Sequence, residues 1–320
     1  MKTRSPSRRD FLRVAGAAGV SGVAQVASGA ARGGPKRAMT IDLVCGNLGV
    51  KADLPTAIAL AHAHGFESVA PDAGHLGRLT DAQISDLQGE MKSKGLTWGA
   101  AGLPVDFRGE DPVFRAGMIE LPAFASALKR AGASRVGTWL RPGHDRLTYM
   151  ANFRQHARRL REAAAVLGDH GLRLGLEYVG PRTSWVSARY PFVHTLAETR
   201  ELIAEIGRDD VGLVLDSWHW YTAGETALDL RGLNNRDVVA CDLNDAPKSV
   251  PVDQQRDGVR ELPCATGVID LRAFLKALAA IAYDGPVRAE PFNATIRTLP
   301  AEAAVAATAR AMRQAFSLMD

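Results

Sequence analysis

From Thr40 onward, short runs of apolar and β-branched residues alternate with longer stretches whose apolar positions recur every three or four residues. The short runs are Ile41–Cys45, Ser68–Pro71, Thr97–Ala101, Arg135–Trp139, Leu172–Glu177, Val211–Asp216, Val238–Leu243 and Val287–Glu290. Between them lie helical patterns over Asp53–His64, Asp81–Lys94, Leu121–Ala131, Met150–Gly168, Leu196–Ile206 and Leu271–Ile281, with a last one at Ala301–Leu318. Gly65, Gly95, Gly132 and Gly171 each follow a helical pattern and precede a strand, where helices commonly stop. Eight strands alternating with helices over ~280 residues predict an α/β fold, a single (β/α)8 TIM barrel. A doubly wound open sheet is the competing arrangement, but Cys45-Gly46-Asn47-Leu48-Gly49 lacks the full phosphate-loop pattern that such a sheet carries after its first strand.

Ahead of this body the pattern changes. Ser7-Arg8-Arg9-Asp10-Phe11-Leu12-Arg13 is basic, Val14–Ala27 is small and apolar, and Ser28-Gly29-Ala30 offers a small-residue cleavage site. That order predicts a secretory signal and linker over residues 1–35, too short and too rich in Gly and Ala to anchor in a membrane. The paired arginines before Phe11-Leu12 resemble the twin-arginine signal, which implies export of the folded chain by the twin-arginine translocase, to the periplasm or beyond. Residues 36–320 then form the barrel domain. The signal also carries the charge. Over the first 30 residues, Lys2, Arg4, Arg8, Arg9 and Arg13 against Asp10 account for the whole formal +4, so the remainder is neutral and lacks the basic footprint of a nucleic-acid binder.

In a barrel of this kind the carboxyl ends of the strands converge on one mouth, where the chemistry sits. The last four strands each bring an acid there: Glu177 after Leu174-Gly175-Leu176, Asp216 after Leu213-Val214-Leu215, Asp242 within Ala240-Cys241-Asp242-Leu243, and Glu290 after Val287-Arg288-Ala289. His219 follows Asp216 by three residues. A carboxylate directly behind an apolar strand is costly unless it is paired, hydrogen-bonded or coordinated. One such acid is an ordinary cap or loop residue. Four aimed at one place repel one another unless a cation sits among them. An oxygen-rich set suits Mn²⁺ or Mg²⁺ first, with Zn²⁺ and Co²⁺ as the alternatives.

The runs Leu-Glu-Tyr-Val-Gly-Pro (176–181), Leu-Asp-Ser-Trp-His-Trp (215–220), Asp-Leu-Asn-Asp-Ala-Pro (242–247) and Arg-Ala-Glu-Pro (288–291) resemble the xylose isomerase-like sugar isomerase/epimerase family. Its relatives include inosose dehydratase-like proteins and ketose 3-epimerases, and the likeness covers nearly the whole chain beyond residue 40. The resemblance implies that Glu177, Asp216, Asp242 and Glu290 bind the metal, that Glu177 and Glu290 do the acid–base work, and that His219 binds or polarises the substrate. Asp242 departs from the family pattern, which leads one to expect His there. The site is then either all-carboxylate or a three-ligand site completed by water. Cys264 is a second departure, standing where relatives tend to carry Gly, and the loop before it implies Arg260 as a substrate contact.

The implied chemistry is removal of a proton from a carbon beside a carbonyl. A divalent metal stabilises the enediolate, and carboxylates take and return the proton. That describes an isomerase or epimerase acting on a small sugar, cyclitol or keto-sugar. A lyase or dehydratase on keto-sugars or 3-keto-glycosides shares the same first step, and a non-catalytic exported sugar-binding protein is the alternative from another class. Asn244-Asp245 and Pro291-Phe292-Asn293 stand where phosphate-binding barrels carry Gly-rich loops, so a small free carbohydrate is the expected partner. A homo-oligomer is compatible with the chain, and stable membrane insertion is not expected. Trp218 is the candidate to stack on a sugar, within a set of Trp139, Trp185, Trp220, Tyr178 and Tyr221 expected near the mouth. Arg141 and His144, after the fourth strand, read first as solvated loop residues, with a substrate contact as the alternative.

Overall fold

The computed structural model describes residues 37–320; the signal and linker expected over residues 1–35 lie outside them. Eight parallel strands appear in the expected order: β1 (Thr40–Leu43), β2 (Ser68–Val69), β3 (Thr97–Trp98, resumed at Ala101–Gly102) and β4 (Arg135–Trp139) make the first half. The second half is β5 (Arg173–Glu177), β6 (Val211–Asp216), β7 (Val238–Leu243) and β8 (Pro286–Ala289). Each strand pairs with its neighbours in the sequence of strands, and β1 pairs with β8. Closure runs through the split third strand. Thr97–Trp98 pairs with β2, and Ala101–Gly102 pairs with β4.

The break in β3 has a cause. An added Cβ on Gly99 would stand 2.3 Å from the Asp42 carboxylate, so that acid from β1 presses against the bare backbone of the break. The apolar-run reading of Thr97–Ala101 could not show this, because the acid comes from another strand.

The helices follow the expected pattern with one large difference. The fourth strand is preceded by a helix over Asp111–Ala131, ten residues longer at its start than the sequence pattern suggested. Pro122 inside this helix reads locally as a stop, yet Asp111-Pro112 supplies an acid and a proline in the first turn, which is helix-start chemistry. The glycines at positions 65, 95, 132 and 171 take φ of 69–80°, as the helix-stop reading requires. Among the described residues, no helix is long and apolar enough to cross a membrane.

Parity along the strands sorts the barrel interior. Ala100, Val214 and Ala240 form a small apolar plug, separate from the large core packed between sheet and helices. Two residues further along, towards the carboxyl ends, the same face carries charge. Asp42, Arg288, Asp242 and Asp216 stand in register across β1, β8, β7 and β6. The polar centre therefore sits directly on an apolar floor, at the end of the barrel where catalytic groups are found in this architecture.

Candidate active site

Glu177 ends β5 and Asp216 ends β6, and both are buried. Asp216 caps the short helix Ser217–Thr222: its Oδ1 accepts from the Trp218 amide at 2.7 Å and from Asn244 Nδ2 at 3.0 Å. The cap fixes the first turn of that helix and so places His219. The His219 Nδ1 accepts from the Gly180 amide at 3.2 Å. Gly180 has no room for a side chain, since a Cβ would stand 2.4 Å from the His219 carbonyl oxygen.

The other ring nitrogen also faces a donor: Arg260 Nη2 lies 3.2 Å from Nε2, and a neutral imidazole accepts on one nitrogen only. The ring is neutral, because burial first and then Arg260 lower its pKa to about 3. Its Nε2 lies 3.6 Å from Glu177 Oε1, 3.7 Å from Asp216 Oδ2 and 3.8 Å from Asp257 Oδ1. Glu177, Asp216 and His219 each present one potential ligand atom, and these atoms lie within 4.8 Å of one another.

Arg260 is the cation at this centre. Its Nη1 donates to Asp216 Oδ2 at 2.7 Å and to Glu290 Oε2 at 3.1 Å, and its Nη2 donates to Asp257 Oδ1 at 2.7 Å. Nη2 also comes within 3.2 Å of His219 Nε2. The guanidinium is fully buried and lies 4.6 Å from the Phe292 ring centroid and 5.6 Å from that of Trp218. Phe292 holds a positive φ of 40°, a costly backbone state for an aromatic residue, beside Glu290.

The loop that carries Arg260 is organised by Asp245, which the sequence reading quoted but gave no role. Its carboxylate accepts backbone N–H groups of Ala246, Thr266, Gly267, Val268 and Ile269 at 2.7–3.1 Å. Its main chain exchanges two hydrogen bonds with Glu261, next to Arg260. Asn244 is the other residue that sequence reasoning missed. It donates to Asp216 and accepts from the Glu290 amide at 3.0 Å, tying two strand ends together. Cys264 takes φ of 64°, the left-handed region, which gives the glycine pattern of relatives a physical reason.

Asp242 is brought beside these groups but is already engaged. Arg288 grips it with two bonds, Nε to Oδ1 at 2.6 Å and Nη2 to Oδ2 at 2.9 Å, with the carboxylate fully buried. Burial works against the charge on Arg288, but the charge and hydrogen bonds of Asp242, with Glu290 and Glu177 adding, raise its pKa well above the ordinary value. Asp42, on the other flank of Arg288, is buried with neither oxygen in a hydrogen bond of good geometry, and burial raises it to about 6 against the nearby Ser68 hydroxyl and the Arg288 charge.

The remaining acids are under strong electrostatic load. Burial first, then the Glu290 charge, raises Glu177 well above its ordinary value. Burial raises Glu290 to about 8, with Asp242 adding to it, and raises Asp216 to about 6 against the opposing pull of Arg260. Asp257 goes the other way: burial pushes it up, but Arg260 and His219 outweigh that and hold it low. Four carboxyl groups thus surround one guanidinium, and the buried Glu177 Oε1 has no hydrogen-bond partner. Among the described residues the site gathers more carboxyl groups than its own cations can pair, so that some are held protonated near neutral pH, and Glu177 Oε1 is left without a partner.

The aromatic set expected at the mouth is mostly elsewhere. Trp218 is fully buried, packed against Arg260, and so backs that residue instead of offering a face to a sugar. Trp220 packs on Phe274, and Tyr178 is buried with its hydroxyl bonded to Glu225. Trp139 stands exposed, with Arg108 over its ring at 4.4 Å. It lines a cavity of about 600 Å³ together with Arg141, His144, Val179, Thr183 and Asp257. Asp257 joins that cavity to the acid centre through Arg260.

A family profile described as xylose isomerase-like TIM barrel matches residues 58–315. The inosose isomerase of Bacillus subtilis strain 168 is 30% identical over 147 residues, which cover 46% of this chain and 49% of that protein. The chain thus spans about half the length of the curated relatives it matches. A xylose isomerase domain protein from Alicyclobacillus acidocaldarius superposes with a TM-score of 0.76 and 32% identity, covering 88% of this chain and 99% of that one. The IOLI protein, whose structure holds a zinc atom, superposes with a TM-score of 0.72 at 21% identity, over 87% and 98% of the two chains.

Proposed function

The chain belongs to the xylose isomerase-like TIM barrel family, and from that premise we propose that it is a metal-dependent isomerase or epimerase of a small sugar, cyclitol or keto-sugar. The observation that carries the reading is the acid centre itself: Glu177, Asp216 and Glu290 converge around Arg260, with Glu177 Oε1 unpartnered. The likeness to inosose isomerase and the zinc in the IOLI protein support it.

The donor set fits a divalent cation. Glu177, Asp216 and His219 present ligand atoms within 4.8 Å of one another and would hold it, with Glu290 bonded to Arg260 beside Asp216, whereas both oxygens of Asp242 are taken by Arg288. When bound, such an ion supplies a Lewis acid that stabilises negative charge on substrate oxygens. The residues of the chain do the rest. Arg260, held by Asp216, Asp257 and Glu290, is the donor that would orient a substrate oxygen. Glu177 and Glu290 both have raised proton affinity in the metal-free site, burial being the first cause, and would serve as a general base and its partner acid. One takes the proton from the carbon beside the carbonyl, leaving an enediolate, and the other returns a proton. Residues 1–35 would take the folded protein out of the cytoplasm through the twin-arginine translocase.

The test is metal content and proton exchange. Wild type is expected to bind about one Mn²⁺ per chain, Glu290→Gln to bind it more weakly, and the loaded wild type to incorporate solvent deuterium into a ketose or inosose. A folded, metal-loaded protein that exchanges no proton on any such sugar would leave only a sugar-binding barrel.

A further inference from the structure

The cavity above β4 and β5 is lined by two chemically unlike sets of residues. One is Asp257, held by Arg260 and partly exposed. The other is Arg141, His144 and Asp145, on the segment that leaves β4, where Asp145 accepts from the Arg189 amide at 3.1 Å. This second set is unexplained by the acid centre.

His144 is fixed there as a neutral donor. It lies in a small two-stranded ribbon, Gly143–His144 against Tyr190–Pro191. Its Nδ1 accepts two backbone amides, from Arg146 at 2.9 Å and Leu147 at 2.8 Å. The neutral ring therefore carries its proton on Nε2. Burial first, then the charges of Arg146 and Arg141, act against a second proton.

Arg141 is an exposed cation with no ion pair among the described residues. Its neighbours along this cavity and the adjoining one are spent: Arg108 on Asp106 and the Trp139 carbonyl, Arg146 on Glu110, Arg158 on Glu162, and Arg159 on Asp111. Arg141 lines both cavities and, among the described residues, makes no hydrogen bond or ion pair. A guanidinium and an N–H donor at the same wall, with exposed Trp139 beside them, form a receptor for an oxyanion.

The geometry points to an anionic substrate: a sugar acid whose carboxylate sits on Arg141 and His144 Nε2–H while its hydroxyl-bearing end faces Asp257 and the acid centre. The guanidinium and the neutral donor match the two oxygens of one carboxylate. A phosphate dianion would bring a second negative charge into a cavity that Asp145 already lines. The inference rests on the reading of this mouth as a sugar site and narrows its substrate class.

The experiment is calorimetric titration of the Mn²⁺-loaded full chain with D-glucuronate, D-glucose and D-glucose 6-phosphate, for wild type and Arg141→Met. Wild type is expected to bind glucuronate at least about tenfold more tightly than glucose, with the preference weakening as salt rises. Arg141→Met, checked for an unchanged melting temperature and metal content, is expected to erase the preference. Absence of a glucuronate preference in wild type, whether both sugars bind alike or neither binds, overturns the inference. So does a preference that survives in Arg141→Met, or one for the phosphate over the carboxylate. The two readings fail separately. Proton exchange on a neutral sugar without any uronate preference keeps the isomerase and removes the anion site. A uronate preference erased in Arg141→Met, with no exchange on any sugar, does the reverse.

Discussion

Replacing Arg288 by Met leaves the Asp242 carboxylate buried with its partner gone. Both oxygens now accept from Arg288, at 2.6 and 2.9 Å, and the carboxylate has no exposure through which water could substitute. Breaking a buried pair from one side typically costs about 3–5 kcal/mol, because an uncompensated charge remains. At roughly 2–3 °C per kcal/mol for a domain of this size, the melting temperature should fall by about 6–15 °C. The double variant Asp242→Leu/Arg288→Met removes both charges together and should recover most of that loss, since well-packed apolar replacement of a buried pair is often close to neutral. It should also bind Mn²⁺ as wild type does, because the carboxylates that hold the ion remain. The assay is thermal denaturation followed by circular dichroism, paired with calorimetric titration of Mn²⁺. A double variant that folds but no longer binds Mn²⁺ would refute the reasoning and make Asp242 a ligand. An Arg288→Met protein that melts like wild type would show that the pair does not matter.

Three other outcomes are expected. Burial holds Glu290 at about 8 and Asp216 at about 6, so between about pH 5 and 8 the metal-free folded chain keeps protons that the unfolded chain has released. Its stability should therefore fall as pH rises through that window, and Mn²⁺ should offset the fall; urea denaturation across the window, with and without the ion, checks the sign. Cys264→Gly should stabilise the chain by about 0.5–1 kcal/mol by relieving the left-handed backbone at φ 64°, read as a higher melting temperature. Asp245→Ala leaves backbone amides of the Arg260 loop unsatisfied and should cost at least about 2 kcal/mol, with faster proteolysis between residues 246 and 270 as the direct readout.

Much of the centre was legible because an acid behind an apolar run is conspicuous. Glu177, Asp216 and Glu290 each end such a run, and the structure gathers them around Arg260. The Asp242–Arg288 pair was harder to see, although a signal existed. Strand parity puts Arg288 on the same face as Glu290, and a cation facing a barrel interior asks for a partner. Asp42 and the break at Gly99 were not legible, since they depend on a contact between strands far apart in sequence. Trp218 was misplaced because a tryptophan beside a catalytic motif looks like a sugar platform. The Asp216 cap turns the chain into a helix at that residue and sends the ring inward. The start of the Asp111–Ala131 helix was obscured by Pro122, whose local meaning as a stop the packing of the helix overrides.

Closure through a split strand makes the ring mechanically uneven. Strands β4 to β7 carry five or six residues each, whereas β2 and each part of β3 carry two. Amide hydrogens along this short seam should exchange with solvent well before those of the long ladder, since less must open to release them. The acids Glu177, Asp216 and Glu290 belong to the stiff arc, or stand at the end of β8 beside it. Fluctuation at the seam can then loosen the rim near Trp98 and Leu103 while the spacing of the charged groups stays fixed. One continuous sheet in this way separates a compliant rim from a rigid chemical centre.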